Sequence, residues 1–322
     1  MTTRITTWSS RHLSYAGRIK LINSVLFGIY NFWARIFVIP EAVIHDLNGI
    51  CRNFLWTGKA EYTKAPPISW NETCLPLNKG GAGIKNLGMW NKACIMKLIW
   101  DIANKKDLLW VRWVHTKYIK DGNIWTYAPK KDCPYYWRMM NEVKEDFKHY
   151  NIPGEYTVSK RYDWLLKDTP RNEWYKWVWS KASHPKHQMI LWLIKHKRLK
   201  IRRRLRRYLE VQEERGNCGE KEETFEHLFW ECTIAKEIRE EIFMRMGIKC
   251  KATSLEHMET ELGNIKTKRR KLMQGGRQYA IPSGKRGMMF FTIRIKIKKV
   301  TLRMFYFILE FSLIKKLDVG RE

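Results

Sequence analysis

Three features common in other protein classes are missing from this 322-residue sequence. No run of eighteen apolar residues occurs, and the nearest approach, residues 301–314, is too short and contains Arg303 and Glu310, which excludes a membrane-spanning helix. The seven cysteines have no framework spacing and follow no signal peptide, which predicts reduced thiols in an intracellular protein, nuclear or cytoplasmic. The segment NKGGAGIK lacks the residue order of a phosphate-binding loop, so we expect a tight turn there.

Acidic residues are also scarce, and this imbalance constrains the partners of the protein. The chain has 61 Lys and Arg against 32 Asp and Glu, a formal net charge of +29. Such a charge attracts polyanions, so nucleic acid is the first expected partner and an anionic membrane surface the second. A role of the charge in solubility alone is the third interpretation.

Apolar residues recur at helical spacing in four stretches and predict a mainly α fold. These stretches are residues 14–37, 40–55, 91–119 and 174–195. Ser14 is the expected N-cap of the first helix, Pro40 marks the start of the second, and the glycine of WTGK ends the second. The third stretch holds two expected helices, NKACIMKLIWDIA and DLLWVRWVHTKYI, of which the latter is capped by Asp107.

Two stretches are expected to contain little regular structure. Pro and Gly are expected to break any regular element in residues 66–87. Scattered aromatic and turn residues from Asp121 to Asn172 indicate a softer stretch, in which we place a domain boundary near residue 155.

The densest positive charge lies in residues 195–207, where nine of thirteen residues are basic. The candidate nucleic-acid-binding residues are Lys195, Lys197, Arg198, Lys200, Arg202, Arg203, Arg204, Arg206 and Arg207. A helix leading into this run is predicted by four apolar residues, Ile190, Leu191, Ile194 and Leu199. If that helix continues, one of its sides carries Lys195, Arg198, Arg202 and Arg206. Such a run binds phosphates without reading sequence; the alternative is a solvated helix face.

A partial zinc-ligand pattern follows in residues 215–232, RGNCGEKEETFEHLFWEC. Eight residues separate Cys218 from His227 and four separate His227 from Cys232, which places three zinc-ligand side chains within fifteen residues. A closed structural zinc site takes four ligands. The spacing therefore predicts a metal site with one ligand missing.

Several motifs occur together in an order that resembles one protein family. LSYAGRIKLINSVL, FLWTG, ISWNETCLPLNKGGAGIKNL and NKACIMKLIW resemble the stretch after the polymerase core in plant LINE-type (non-LTR) retrotransposon reverse transcriptases. WVWSKASHPKHQMILWL followed by CG and ETFEHLFWEC resembles the reverse-transcriptase zinc-binding domain that comes next. The resemblance covers residues 8–240.

The resemblance implies three parts of the chain. Residues 1–155 resemble the helical, thumb-like segment after the polymerase core, and residues 156–245 resemble a degenerate, small helical zinc-binding domain. Residues 246–322 depart from the family pattern, and we expect a divergent basic α/β tail in which TIRIKIKKV alternates with the period of a strand.

The resemblance also identifies the missing ligand. The family pattern is Cys-x-x-Cys-Gly, then Glu-Thr-x-x-His-Leu-Phe, then Cys, and Arg215 occupies the position of the first cysteine. We therefore expect weak or absent zinc binding, because a cation in that position repels the metal. No spacing directs Cys250 or His257 to the site. The favoured interpretation is a small helical hairpin held without metal by Leu228, Phe229 and Trp230.

A polymerase of this family needs adjacent aspartates that hold two metal ions, and no Asp-Asp pair occurs in the chain. We expect a non-catalytic remnant of a retrotransposon polyprotein that begins after the active site and binds RNA or DNA irrespective of sequence. A partner that carries the polymerase core stays open. The alternative is a functionless packed helical product or a basic binder of anionic membranes.

Overall fold

The structure of the protein, a computed structural model, describes residues 2–7, 13–61, 65–120, 122–148, 155–179, 184–199, 201, 224–245, 254 and 257. Within these ranges the chain is helical and contains no strand, which confirms the mainly α fold. None of the described helices is long and apolar enough to cross a membrane. The strand expected at TIRIKIKKV, like the rest of the tail's expected fold, lies outside the described ranges.

The chain divides into two compact units, Met1–Tyr175 and Lys176–Glu322. The described helices are α1 Thr2–Thr7, α2 Tyr15–Leu21, α3 Phe27–Ala34, α4 Glu41–Thr57, α5 Trp70–Thr73, α6 Leu87–Ala103, α7 Leu109–Val114, α8 Tyr135–Lys148, α9 Val158–Leu165, α10 Tyr175–Val178, α11 Pro185–Lys195 and α12 Thr233–Arg245. Short π-helical turns lie at Ile22–Leu26, His115–Ile119 and His227–Glu231, and a 3₁₀ turn at Leu77–Lys79. The predicted domain limits at residues 155 and 245 stay a prediction.

The capping residues predicted for the first helices are present. The Ser14 side chain accepts a hydrogen bond from the backbone N–H of Gly17 at 3.2 Å, which starts α2. Pro40 precedes α4, and Gly58 ends α4 at φ +81°, a left-handed conformation that glycine adopts without steric cost. These three predictions are confirmed.

Helix α6 is the centre of the first unit because nearly all of its sides are apolar. One side packs on α3 and α9 through Leu87, Trp90, Ala93 and Cys94. Another side packs on α7, the following π turn and α8 through Ile95, Ile99 and Ile102. A helix with apolar residues all round is buried in a core, and the helices packed on α6 supply that core.

A buried amide on α6 fixes the chain that follows α3. Asn91 is 4% exposed, and its Nδ2 donates to the carbonyl oxygens of Ala34 at 2.8 Å and Phe37 at 2.7 Å. Its Oδ1 accepts a hydrogen bond from the N–H of Ile39 at 2.9 Å. These bonds satisfy backbone groups that the end of a helix leaves without intrahelical partners. The side chain therefore sets the direction in which the chain leaves α3.

The tight turn predicted at NKGGAGIK is present, and glycine is required in it for two different reasons. Gly80 and Gly83 have φ angles of +90° and +73°. At Gly81 the reason is space, because an added Cβ would lie 1.9 Å from the carbonyl oxygen of Leu75. The backbone at Gly81 therefore lies closer to the backbone at Leu75 than any residue with a side chain permits.

The expectation that residues 66–87 contain no regular element is wrong at α5. This single helical turn forms because the Ser69 Oγ accepts a hydrogen bond from the N–H of Glu72 at 3.2 Å and donates to the Glu72 carboxylate at 2.9 Å. Such reciprocal capping is the signature of a helix start, and here it acts despite the neighbouring prolines.

The expectation of a soft stretch from Asp121 to Asn172 is also wrong. Helices α8 and α9 lie in this stretch, and both pack on α6. The stretch buries four aromatic side chains, Trp137, Phe147, Tyr156 and Tyr162. The aromatic residues that look scattered in the sequence are therefore core residues of the first unit.

Two expected helix boundaries need correction. Asp107 does not cap α7, which begins after Leu108 without a side-chain cap; the Asp107 carboxylate instead accepts a hydrogen bond from Arg112. The stretch 174–195 is not one helix, because α10 ends at Val178 and α11 begins at Pro185. Proline lacks the N–H that a continuous helix needs and disfavours the helical conformation of the residue before it.

Among the described α-helices, α6 and α11 are each followed by a lysine at positive φ. Lys105, after α6, has φ +45°, and Lys197, after α11, has φ +53°. At the end of α6 the N–H of Lys105 donates to the carbonyl of Ile102 and the N–H of Lys106 to the carbonyl of Asp101. This is the Schellman arrangement, which most often places glycine at the left-handed position.

Lys105→Gly should raise the free energy of unfolding of the first unit by about 0.5–1 kcal/mol, because glycine carries no Cβ to be strained at positive φ. Equilibrium unfolding in urea measures the change. The control is Lys20→Gly, an exposed position inside α2, where glycine should lower the free energy by about 1 kcal/mol. A loss of stability in both variants would contradict the strain at Lys105.

Candidate nucleic-acid interface and zinc-binding-like hairpin

The basic run begins at the end of α11, and the structure shows that α11 does not continue through it. The N–H groups of Lys197 and Arg198 turn back to the carbonyls of Ile194 and Leu193, both at 2.8 Å. Because the backbone reverses at Lys197, Lys195 and Arg198 do not share a continuous helix face, and Leu199 lies outside the helix. The expectation of a helical face through Arg198 is therefore wrong at its start.

Of the nine candidate binding residues, three are described. Lys197 and Arg198 are exposed and Lys195 is half-buried at the helix end. Lys200, Arg202, Arg203, Arg204, Arg206 and Arg207 lie outside the described residues. The described part of the run therefore presents cations to solvent directly after a tight chain reversal.

Helix α11 anchors the start of the run in the second unit. Its buried residues are Met189, Leu191, Trp192, Leu193 and Ile194. Trp192 is fully buried, and its ring lies 5.0 Å from the ring of His196, the residue that ends the helix. The basic run therefore follows directly on a helix that is packed into the core of the second unit.

Two histidines lie at the N-terminus of α11, with their rings 5.5 Å apart. The Nδ1 of His184 accepts a hydrogen bond from the N–H of Lys186 at 3.3 Å, which caps the helix. Burial lowers the pKa of His187, and the nearby His184 and Lys186 lower it further. His187 is therefore neutral at neutral pH.

The described zinc-ligand candidates lie at the two ends of one π-helical turn. His227 and Cys232 are each 6% exposed, and the N–H of Cys232 donates to the carbonyl of His227 at 2.9 Å. The N–H of His227 donates in turn to the Oγ1 of Thr224 at 3.0 Å. The backbone N–H of each candidate ligand is thus hydrogen-bonded, one to a side chain and one to a carbonyl. Cys218, and Arg215 at the position of the first cysteine, lie outside the described residues.

Apolar packing and one arginine hold this turn against α12. Phe229 is fully buried against Phe225 at a ring separation of 4.9 Å, and Trp230 is 7% exposed, whereas Leu228 is only half-buried. Arg239, 7% exposed, donates to the carbonyls of Phe229 at 3.2 Å and Trp230 at 3.5 Å. Its guanidinium also lies 5.4 Å from the centre of the Trp230 ring. These contacts join the turn to α12.

The described donors do not complete a structural zinc site. His227 and Cys232 are ligand types that zinc takes, but they are two where four are needed. Within the described ranges no group of three or more His, Cys, Asp or Glu side chains could hold a metal ion. Weak or absent zinc binding stays a prediction.

The remaining described cysteines are core residues. Cys51, Cys74, Cys94 and Cys133 are free thiols, like Cys232, as the sequence predicts for these positions. Burial raises the pKa of Cys51 and of Cys94 to about 12. A thiol with such a pKa stays protonated at neutral pH and is a poor nucleophile.

A second basic surface, which the sequence interpretation missed, lies on α7 and the π turn that follows it. Its exposed residues recur at helical spacing and are Leu109, Arg112, Trp113, Thr116, Lys117 and Lys120. We call this set the α7 face. Leu109 is 85% exposed and Trp113 57% exposed. The same helix also buries apolar residues, Val111 and Val114. The apolar pattern of the sequence alone therefore does not show that Leu109 and Trp113 are exposed.

A known protein family matches the part of the chain that contains the basic run and the zinc-ligand candidates. A family model described as zinc-binding in reverse transcriptase matches residues 156–238. The matched segment contains α9, α11, the basic run and the turn between His227 and Cys232. This part of the chain is therefore similar to the zinc-binding domain of reverse transcriptases.

One relative extends the similarity. A protein of Arabidopsis thaliana named "Putative ribonuclease H protein" is 30% identical over 162 residues, which are 48% of this chain and 26% of that protein. The chain thus spans only a minor part of the relative's length. No solved structure matches the chain. The two similarities support a retrotransposon-derived protein.

Proposed function

We propose that the chain is a non-catalytic remnant of a plant LINE-type (non-LTR) reverse-transcriptase polyprotein, located in the nucleus or cytoplasm, and that it binds RNA or DNA irrespective of sequence. One observation carries the proposal: the basic run of residues 195–207 lies inside the segment similar to the reverse-transcriptase zinc-binding family. The densest charge of the chain thus coincides with a domain whose relatives belong to nucleic-acid enzymes.

The chemistry of the run supports binding to phosphates. Its nine basic residues lie within thirteen positions, and like charges at this density repel one another unless an anion lies nearby. Guanidinium and ammonium groups meet the same phosphate backbone whatever the sequence, so such contacts position a nucleic acid without selecting bases. The exposed Lys197 and Arg198 begin this surface.

Binding, and not catalysis, is the proposed activity of these 322 residues. The sequence has no adjacent pair of aspartates. Phosphoryl transfer by two metal ions depends on clustered carboxylates that hold both ions. A polymerase core would have to come from another part of the polyprotein or from a partner.

Replacing Arg202, Arg203 and Arg204 by Gln should weaken the binding of RNA and DNA of every sequence alike. Each phosphate neutralised on duplex DNA contributes about −0.9 to the slope of log K against log salt. The triple variant should therefore flatten that slope by roughly two to three units. Filter binding of labelled duplexes over a series of salt concentrations measures the slope.

The chain offers a matched control for charge alone. Replacing Lys268, Arg269 and Arg270 by Gln removes three positive charges in the tail. If both triple variants flatten the slope equally, the charge acts diffusely and the run is not a binding site. Tighter binding to anionic vesicles than to either nucleic acid would favour the membrane-surface alternative and overturn the proposal.

A further inference from the structure

The α7 face combines an exposed aromatic side chain with flanking cations. Trp113 lies four residues after Leu109 and four before Lys117, a spacing that makes residues neighbours on a helix surface, and Arg112 borders it on the same exposed side. Lys117 and Lys120 are exposed, as is Arg112, whose side chain is 66% accessible. The face therefore offers one π surface and three positive charges to the same ligand.

Trp113 is held in place from below by a chain of aromatic contacts. Its ring packs edge-on against Tyr118 at 5.5 Å, and Tyr118 stacks on Trp137 at 4.8 Å. Trp137 is 3% exposed, so the chain of rings ends in the core. Because Trp113 is already ordered, a ligand that stacks on it loses little additional side-chain entropy.

The π turn explains how Trp113 and Tyr118 meet. In a regular α-helix, residues five apart point about 140° away from each other. The wider turn at His115–Ile119, closed by the N–H of Lys120 on the carbonyl of His115 at 2.6 Å, brings Tyr118 towards the side of Trp113. Such π turns are rare and frequently lie at functional sites.

The charges on and beside this face select the ligand. The α7 face has three cations, and two more, Lys105 and Lys106, are exposed just before α7. Residues 105–120 contain one carboxylate, Asp107. Asp107 pairs with Arg112, and since both side chains are largely exposed a phosphate can replace the carboxylate at little cost. The complementary ligand is thus anionic and carries aromatic groups, as nucleic acid does.

We propose that the α7 face is a contact for single-stranded nucleic acid, at which Trp113 stacks on an unpaired base and Arg112, Lys117 and Lys120 contact the adjoining phosphates. The inference rests on the proposed function and assigns it a second surface, distinct from the basic run. A duplex buries the faces of its bases, so it offers Trp113 no stacking partner. An aromatic platform beside cations is the usual means of binding single strands without sequence preference.

The test measures the affinity of the full chain for a single-stranded oligonucleotide of about 16 nucleotides and for a duplex of the same sequence by fluorescence anisotropy. Trp113→Ala should weaken single-strand binding by about 5- to 150-fold, the loss of one stacked base, and should change duplex binding by less than about twofold. Trp113→Phe, which keeps a ring, should bind more tightly than Trp113→Leu, which keeps only apolar area.

The matched control is Trp33→Ala. Trp33 is exposed to a similar extent, 52%, but its ring neighbours are the apolar rings of Phe32 and Phe37. Its replacement should leave both affinities unchanged. Circular dichroism establishes that each variant is folded.

Three results would overturn the inference. In the first, Trp113→Ala weakens single-strand binding no more than Trp33→Ala does. In the second, Trp113→Leu binds single strands as tightly as Trp113→Phe does. In the third, Trp113→Ala weakens only the binding to anionic vesicles. Wild-type binding that persists in these cases would leave the proposed function intact. If the wild-type chain shows no salt-dependent binding to either oligonucleotide, the proposed function fails as well.

Discussion

Gly81→Ala is expected to lower the free energy of unfolding of the first unit by about 4 kcal/mol or more, or to prevent its folding. The added Cβ would lie 1.9 Å from the carbonyl oxygen of Leu75 and 2.4 Å from its carbonyl carbon. Both atoms belong to the backbone, so no side-chain rotation relieves the overlap. The turn would have to open, and the hydrogen bond from the N–H of Gly81 to the carbonyl of Pro76 would be strained or lost.

The matched control is Gly28→Ala, at the start of α3. An added Cβ at Gly28 meets no atom within 4 Å. Gly28 lies inside α3, and in a helix alanine is favoured over glycine by about 0.5–1 kcal/mol. Gly28→Ala should therefore stabilise the unit, and urea unfolding followed by circular dichroism compares the two variants. A Gly81→Ala variant within about 1 kcal/mol of wild type would show that the turn has another conformation.

The turn illustrates which parts of the fold could be predicted from sequence. The order of residues in NKGGAGIK excluded a phosphate loop and predicted a turn, and Ser14, Pro40 and Gly58 marked helix ends through local chemistry. Signals of this kind depend on a residue and its immediate neighbours. They are therefore legible in a single sequence.

Helices α8 and α9 could not be placed because their evidence is not local. Tyr156 is a core residue since its hydroxyl donates to the carbonyl of Ala93 at 2.7 Å, and the hydroxyl of Tyr162 accepts from the N–H of Asn86 at 2.9 Å. Both partners are more than 60 positions away along the chain. Turn residues nearby made the segment look soft, although tertiary contacts decide its structure.

The candidate sites likewise have features that the sequence shows and features that only the structure shows. The metal-ligand spacing and the basic run were visible as patterns, but the reversal at Lys197 was not, because a lysine at positive φ carries no local signal. The α7 face was hidden by a second apolar stripe on the same helix. Only the packing of α7 on α6 shows that Val111 and Val114 are buried and Trp113 is not.

Side chains of this chain hold the turn between His227 and Cys232 against α12. Arg239 joins α12 to the carbonyls of Phe229 and Trp230, and the Phe225–Phe229 pair fills the space beneath the turn. Classical structural zinc sites supply folding free energy outright. Here apolar burial and a charged hydrogen-bond donor also hold the turn, so we expect the hairpin to stay folded when zinc is withheld.

Arg215→Cys is expected to raise the affinity of the chain for Zn²⁺ by more than about 100-fold, since loss of even an outer-shell partner of a zinc ligand typically costs about 10- to 100-fold. The substitution creates the spacing Cys-x-x-Cys with Cys218 and completes four ligands with His227 and Cys232. It also removes a positive charge that opposes a divalent cation. Competition with a chromophoric chelator gives the affinity and the stoichiometry of wild type and variant.

The control Arg215→Ser separates the two causes, because serine removes the charge without supplying a thiolate. If the four-ligand interpretation is correct, Arg215→Ser should gain far less affinity than Arg215→Cys, and His227→Ala in the Arg215→Cys background should abolish the gain. The Arg215→Cys protein should also be stabilised by zinc, by about 2.7 kcal/mol when free zinc is 100 times its Kd. Stoichiometric zinc retained by the wild-type chain against the chelator would instead reveal a fourth ligand, and His227 and Cys232 would then belong to a complete site.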